Sequence, residues 1–430
     1  MLKKILVFGL AASVATTGSA NDEPTPGYNT HIPSEIMTPD VVDTRIGTLN
    51  FSDGRPTTET VELLYEHLDF LRGVEVFLNF IPAASLEALH RGMASLGADA
   101  PNKVVVMTNL LDSTPLFLTG NTDTVYASAF FDLQKSGPIV VEIPPGMGPS
   151  TVNDAFFRFV TDMGAPGPDK GNGGKYLILP PDYDGDLDPP EGGYEAQVDG
   201  ETYFVSKSTS YVNWFIARGF LVDGKTDAAV DSFRNGLKIY PLSEKENPSE
   251  VEIIDGSGVS YNTIHANTYA FYEEIDSVIQ REPVSMLDPE LRGLAASIGI
   301  EKGKEFDPDD RMEAILKDAV AVGNGTARAI WLHNRNEGAV LYDDRAWQTA
   351  FVGGNYKWLS GANGEGGRNL DARTLFFYMA TVNTPAMVLK IPGVGSQYAA
   401  AYSDSDGDFL QGDKTYKLNI PADVPAKNFW

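Results

Sequence analysis

Cysteine is missing from all 430 residues. That excludes disulfide staples, a thiol nucleophile, a thiolate zinc site and an iron–sulfur cluster. Basic residues are scarce as well: 33 Lys and Arg stand against 59 Asp and Glu, a formal charge of -26. Nucleic acid and anionic lipid faces need Lys and Arg stripes, so neither is expected as a partner. The five histidines, His31, His67, His90, His265 and His333, form no HxH, HxxxH or HExxH pattern, which leaves a histidine zinc site without local support. No GxSxG elbow, no GxxxxGK[ST] loop and no dinucleotide fingerprint is present. The apolar run from Ile5 to about Ala15 is too short to span a bilayer, and no stop-transfer pattern follows it.

What that run does resemble is the middle of a secretory signal peptide. Lys3 and Lys4 precede it, and Gly18, Ser19 and Ala20 close it. Residues 1–20 therefore read as a cleaved leader, with Asn21 as the mature start and a soluble, exported protein in the periplasm or outside the cell. An apolar content of 42% fills real cores, so the chain is globular. Without disulfides, stability is expected from core size, bound ions or subunit contacts, which makes a homo-oligomer plausible.

The pattern divides the chain. Residues 21–58 are polar and Pro-dotted and read as an extended arm. Residues 59–222 open with helical spacing at Leu63, Leu64, Leu68, Leu71 and Leu78, which Pro82 is expected to split into two helices. Strand language follows at 125–133, 138–143, 156–160, 175–179 and 203–221. Residues 223–325 read as helical, with helices over 226–237, 263–279, 289–298 and 308–322. Residues 326–350 remain helical, and the rest of 326–430 turns β again, with strands over 376–382, 387–391, 398–402 and 416–420. The class is α+β, mostly β, with two jelly-roll or sandwich-like β units joined by a helical middle. The chain stops at Asn428-Phe429-Trp430, which reads as the entry to a strand and therefore as a truncated end.

Three segments carry a family resemblance. The first is Asn121-Thr122-Asp123-Thr124-Val125-Tyr126, with Phe131-Asp132-Leu133 and Gly137-Pro138-Ile139-Val140. The second is Asp162-Met163-Gly164, Gly167-Pro168-Asp169 and Gly171 to Leu177. The third is Asp404-Ser405-Asp406-Gly407, then Leu410, Gly412, Tyr416 and Phe429-Trp430. Together they resemble the paired domain-of-unknown-function families 1254 (N-terminal) and 1214 (C-terminal) of exported bacterial proteins. The resemblance implies jelly-roll-like β domains with helical connections, and it implies no settled reaction.

Several constellations offer chemistry. Asn121, Asp123 and Tyr126 sit at a strand entry, where they either converge on a ligand or bond the local backbone. The glycine-rich loop from Asp162 to Lys175 either cradles an anion with its N–H groups or simply joins two strands. Arg218 shares strand parity with Trp214 and sits near Tyr211, a set suited to a carboxylate or a stacked sugar. His265, between Tyr261 and Tyr269, is either a general base or a core histidine. Alternating carboxylates at Asp404, Asp406 and Asp408, and at 182–188, are either calcium ligands or solvated turns.

Two functions compete. One is a hydrolase of a small organic or carbohydrate-like substrate, with Asp123, Asp162, His265 and Arg218 as its polar groups and Asn121, Tyr126, Tyr211, Trp214 and Tyr269 around the ligand. The other is a non-catalytic envelope protein that binds a small ligand or calcium. No other cofactor is indicated. The test is whether Asn121, Asp123, Asp162, Arg218 and His265 line one cavity.

Overall fold

The computed structural model describes residues 30–361, 363–389, 398–420 and 422. The expected signal peptide, the mature start and the end at Asn428–Trp430 lie outside the described residues, as does part of the strand expected over 387–391.

The chain forms two compact units, Met1–Tyr65 and Glu66–Trp430. In the first, β1 (Val41–Thr44), β2 (Gly47–Ser52) and β3 (Arg55–Pro56) make a three-stranded antiparallel sheet in chain order. The arm expected to be extended thus folds back on itself. Asp53-Gly54 explains why: both residues have positive φ, 49° and 74°, the backbone that a tight two-residue hairpin turn requires.

Helix α1 (Thr58–Ser95) begins in the first unit and continues into the second. It runs unbroken through Pro82, against expectation. Proline removes the N–H that would bond the Leu78 carbonyl. The Thr374 hydroxyl donates to that carbonyl instead, at 3.3 Å, so no backbone acceptor is stranded.

The second unit holds two sheets. Its strands are β4 (Lys103–Val106), β5 (Thr124–Asp132), β6 (Ile139–Ile143), β7 (Ser150–Asp154), β8 (Phe159–Met163), β9 (Gly174–Leu179), β10 (Tyr194–Val198), β11 (Glu201–Lys207), β12 (Val212–Phe220), β13 (Lys238–Pro241) and β14 (Glu252–Asp255). A five-stranded sheet has the order β10-β11-β9-β6-β13, and a six-stranded sheet has the order β14-β4-β5-β12-β7-β8. Pairing is antiparallel except for β11 with β9 and β14 with β4. Both sheets are therefore mixed.

Strand parity assigns the layers. Val125, Ala127, Ala129 and Phe131 of β5, with Phe215 and Ala217 of β12, pack with Ile139 and Val141 of β6 and Ile178 of β9. The intervening Tyr126, Phe130, Trp214 and Ile216 belong to a second cluster with the helices. The six-stranded sheet is therefore covered on both faces, which is why β5 reads as a near-continuous apolar run. The fold is α+β.

The helices are α2 (Leu133–Ser136), α3 (Asp227–Gly236), α4 (Ala270–Arg281), α5 (Pro289–Ala296), α6 (Asp310–Leu332), α7 (Leu370–Met379) and α8 (Pro385–Val388). Asp288 and Asp309 cap α5 and α6 through Leu291 N–H and Met312 N–H. Where a strand was expected over 376–382, the chain continues the helix α7 to Met379. Its apolar run is buried all round, so no period distinguishes strand from helix. The informative signal was Asn369, whose side chain accepts from Ala372 N–H at 3.0 Å and caps the helix. Residues 398–402 and 416–420, also expected as strands, carry only isolated bridges or no regular structure.

Helices α1 and α6 approach closely at Gly73. A Cβ there would meet Ala319 Cβ at 2.7 Å and Leu316 Cδ2 at 3.1 Å. Gly73→Ala is expected to cost about 1–3 kcal/mol through overpacking, read as a lower urea midpoint. An unchanged midpoint would mean that the two helices part without cost.

Candidate functional site

A cavity of about 560 Å³ is bounded by the β7–β8 turn, α7 and the segment before it. Three arginines line it: Arg158, Arg368 and Arg373.

Arg158 is placed by a rigid turn. The Asp154 carboxylate accepts from Phe156 N–H and Arg158 N–H, each at 2.8 Å. Thr209 donates to its other oxygen, and Ser210 Oγ accepts from Ala155 N–H at 2.9 Å. Phe157 takes a positive φ of 54° within this turn. Arg158 then donates to the Met286 carbonyl and lies over the Phe156 ring at 5.2 Å.

Arg373 sits in α7 and is 5% exposed. Its Nη2 donates to Asn79 Oδ1 at 2.6 Å, and Asn79 is held by the Glu75 carbonyl and carboxylate. Arg368, exposed at the cavity mouth, donates to the Lys357 carbonyl at 2.6 Å. Burial, and then the like charges of Arg368 and Arg158, pull the Arg373 guanidinium down to about 10. Asn383 ties the chain after α7 to the sheet: Asn153 Nδ2 donates to its carbonyl at 2.8 Å, and its own Nδ2 donates to the Tyr356 carbonyl at 2.6 Å.

The charge balance is unusual for so acidic a chain. Arg91, Arg234, Arg281, Arg311, Arg335 and Arg345 each pair with a carboxylate. Among the described residues, the three cavity arginines have no such partner, which they share with Arg45, Arg55, Arg72, Arg218, Arg292 and Arg328; what sets the three apart is that they line one cavity. The carboxylate whose field reaches Arg368 and Arg373 is Asp288, and it caps α5. Glu191, also on the wall, is taken by Tyr356 and Lys357. Three residues of the lining carry buried polar atoms without a partner among the described residues: Arg373 Nε, Trp358 Nε1 and Asn383 Oδ1. Buried orphans of this kind are costly unless something satisfies them. The arrangement suits an anion lying against aromatic walls.

Sequence reasoning missed this cavity. The available signal was a cation embedded in an apolar segment, as in Phe156-Phe157-Arg158-Phe159-Val160 or at Arg373 ahead of Leu375-Phe376-Phe377. Such a charge is expensive there without a purpose.

The residues singled out from sequence fall elsewhere. Asp162 and Arg218 line a second, much smaller cavity of about 40 Å³ with Thr151, Thr384 and Ala386. Burial raises the Asp162 carboxyl to about 7, against the lowering effect of the Thr384 and Thr151 hydroxyls and the Ala386 N–H. Arg218 is the register partner of Tyr126 and lies over its ring at 5.6 Å. Asn121 donates to Tyr126 Oη at 2.8 Å, while its Oδ1 accepts from Asp123 N–H and Thr124 N–H. That is a local Asx-type turn. The Asp123 side chain is exposed.

His265 is buried among Phe77, Phe271 and Tyr378, with Nδ1 at 3.0 Å from the Ala266 carbonyl. Burial lowers its pKa, and Nε2 has no partner among the described residues. Trp214 is fully buried and donates to Ser128 Oγ at 2.6 Å. The Tyr211 hydroxyl donates to Asp182 at 3.1 Å, and Tyr269 stacks on Phe306. In the glycine-rich loop, read either as an anion cradle or as a plain connection, Gly171 N–H and Gly173 N–H both point at Asp169, each at 3.1 Å. The loop's own carboxylate fills that cradle. Asp404 Oδ1 likewise accepts from Asp406 N–H and Asp408 N–H, closing its turn. Among the described residues there is no group of three or more His, Cys, Asp or Glu that could hold a metal ion. No helix among them is long and apolar enough to cross a membrane.

Two family models match the chain, in the order the sequence suggested. "Protein of unknown function (DUF1254)" matches residues 101–241, and "Protein of unknown function (DUF1214)" matches residues 395–430. Arg158 lies within the first match, whereas Arg368 and Arg373 lie outside both. No curated protein matches the chain. Among solved structures, the VPA0106 protein from Vibrio parahaemolyticus is similar at 14% identity and a TM-score of 0.48. The match covers 74% of this chain and 69% of that one.

Proposed function

We propose that this protein binds a small organic anion in the cavity lined by Arg158, Arg368 and Arg373, and that it does so outside the cytoplasm, where the leader-like residues 1–20 would deliver it. The observation that carries this reading is Arg373: a guanidinium nearly removed from water, with an unpartnered Nε, beside two further cations and no carboxylate in salt-bridge contact among the described residues. Folding alone gives no reason to gather three such charges, since each costs desolvation and repels the others. A bound anion would repay both terms. A cavity of about 560 Å³ falls in the range of small-molecule sites, and Phe156, Phe159, Tyr356 and Phe377 supply its apolar walls.

Titration calorimetry with sodium benzoate and with benzyl alcohol tests the reading. Benzoate is expected to bind, more weakly as salt rises, and benzyl alcohol is not. Equal behaviour of the two would remove the arginines from the explanation.

A hydrolytic reading draws on one observation. Asp162 shares its small cavity with Arg218 and titrates near 7, the range in which a carboxyl exchanges protons at neutral pH. A cavity of about 40 Å³ has room for water rather than for an organic substrate, so the anion-binding reading ranks first.

A further inference from the structure

We infer that the ligand of the arginine cavity is an aromatic dicarboxylate, whose two carboxylates bind at different depths. The inference rests on the anion-binding reading and narrows its ligand.

The first argument is charge. Glu191 and Lys357 pair with each other, and Asp288 offsets one of the three guanidiniums through space. At least two positive charges remain. A monoanion would leave one of them facing the other, in a place where Arg373 already feels the repulsion of Arg158 and Arg368. A dianion removes that repulsion.

The second argument is depth. Arg373 is buried, Arg158 is half-buried and Arg368 is exposed. Each is fixed by a different anchor: Asn79 for Arg373, the Met286 carbonyl for Arg158, and the Lys357 carbonyl for Arg368. Each anchor occupies one N–H direction of its guanidinium and leaves others open, and a guanidinium fork matches a carboxylate in two parallel bonds. Donors staged from floor to mouth fit two carboxylates held apart by a rigid spacer.

The third argument is the aromatic wall of the cavity. Phe156, Phe157, Phe159, Tyr356, Trp358 and Phe377 all line the cavity. Aromatic side chains pair with an aromatic ring in offset or edge-on contact, so a flat spacer gains what a flexible aliphatic one does not. A rigid spacer also loses less conformational freedom on binding.

The experiment compares terephthalate, benzoate and adipate by calorimetry on the full protein and on Arg368→Gln. Terephthalate is expected to bind the native protein at least tenfold more tightly than either benzoate or adipate. In Arg368→Gln its advantage over benzoate should fall to about threefold or less, because the dianion loses a partner that the monoanion uses less. Because Arg368 is exposed, this variant leaves the buried floor intact, and an unchanged melting curve confirms that. If benzoate matches terephthalate, the dicarboxylate inference is overturned while anion binding stands. If adipate matches terephthalate, the aromatic spacer is overturned. If none of the three binds, both the inference and the anion-binding reading fail.

Discussion

Arg373→Gln is expected to weaken benzoate binding by about thirtyfold to a few thousandfold, with the fold intact. The range follows from the roughly 2–5 kcal/mol lost when one member of a buried, hydrogen-bonded charge pair is truncated. Arg373 is the deepest cation of the cavity and the one whose Nε lacks a partner, so it has the most to gain from a bound anion. Glutamine ends two bonds short of the Nη2 that now donates to Asn79 Oδ1 at 2.6 Å, so that bond is lost. Against that, it removes a desolvated charge that Arg368 and Arg158 repel. The melting temperature without ligand should therefore stay about level. Arg373→Lys should restore little, because an ammonium lacks the planar fork. Should the variant misfold, Arg158→Gln gives the same information from a half-buried position, with an expected loss of about tenfold. Unchanged benzoate affinity in both variants would refute the site.

Much of the second unit's layering could be read from residue order. The alternation in β12, with Phe215 and Ala217 on one face and Trp214 and Ile216 on the other, follows from strand parity alone. The pairing of Arg218 with Tyr126 across β12 and β5 does not, because parity fixes a face and not a register. Pro82 misled because the compensating donor, Thr374, is 296 residues away along the chain in the hydrogen bond to Leu78, and no local rule can supply it. The glycine-rich loop left two readings open for a related reason. Its N–H groups do converge on an anion, but that anion is the carboxylate of Asp169, four residues or fewer from both donors. The arginine cavity was illegible because its members come from positions 158, 368 and 373, on two sides of a long helical middle. Only the hairpin tip at Asp154–Arg158 and the cap at Asn369 bring them together. Arg158 and Arg373 stand as isolated cations beside apolar stretches, and Arg368 follows a glycine-rich run. What makes them a site is that three guanidiniums line one cavity whose carboxylates, Asp288 and Glu191, are engaged elsewhere, and that is a property of the folded chain.

Asp162→Asn is expected to stabilise the protein at pH 8 by up to about 4 kcal/mol and at pH 5 by less than half of that. The figure is three pK units of differential proton binding, the gap between an ordinary aspartate near 4 and the folded-state value of about 7. The sign follows from which state holds the proton. Between pH 4 and 7 the unfolded chain has ionised this carboxyl while the folded chain, for which burial is the dominant cause, keeps it neutral. Stability that is fully present below pH 4 is therefore lost as the pH rises through 7. Asparagine never ionises, so it escapes that loss while keeping an oxygen for the Thr151 and Thr384 hydroxyls. Glu274, whose carboxyl burial also raises to about 7, acts with the same sign and leaves a residual pH dependence in the variant. Urea denaturation at the two pH values measures both effects, and a variant no more stable than the native protein at pH 8 would show that Asp162 ionises freely in the fold. The same variant separates the two functional readings. Benzoate binding at the arginines should survive it unchanged, because Asp162 lines a different cavity. An ester- or glycoside-cleaving activity that depended on this carboxyl would vanish from a protein made more stable, the signature of a group held against the interests of folding.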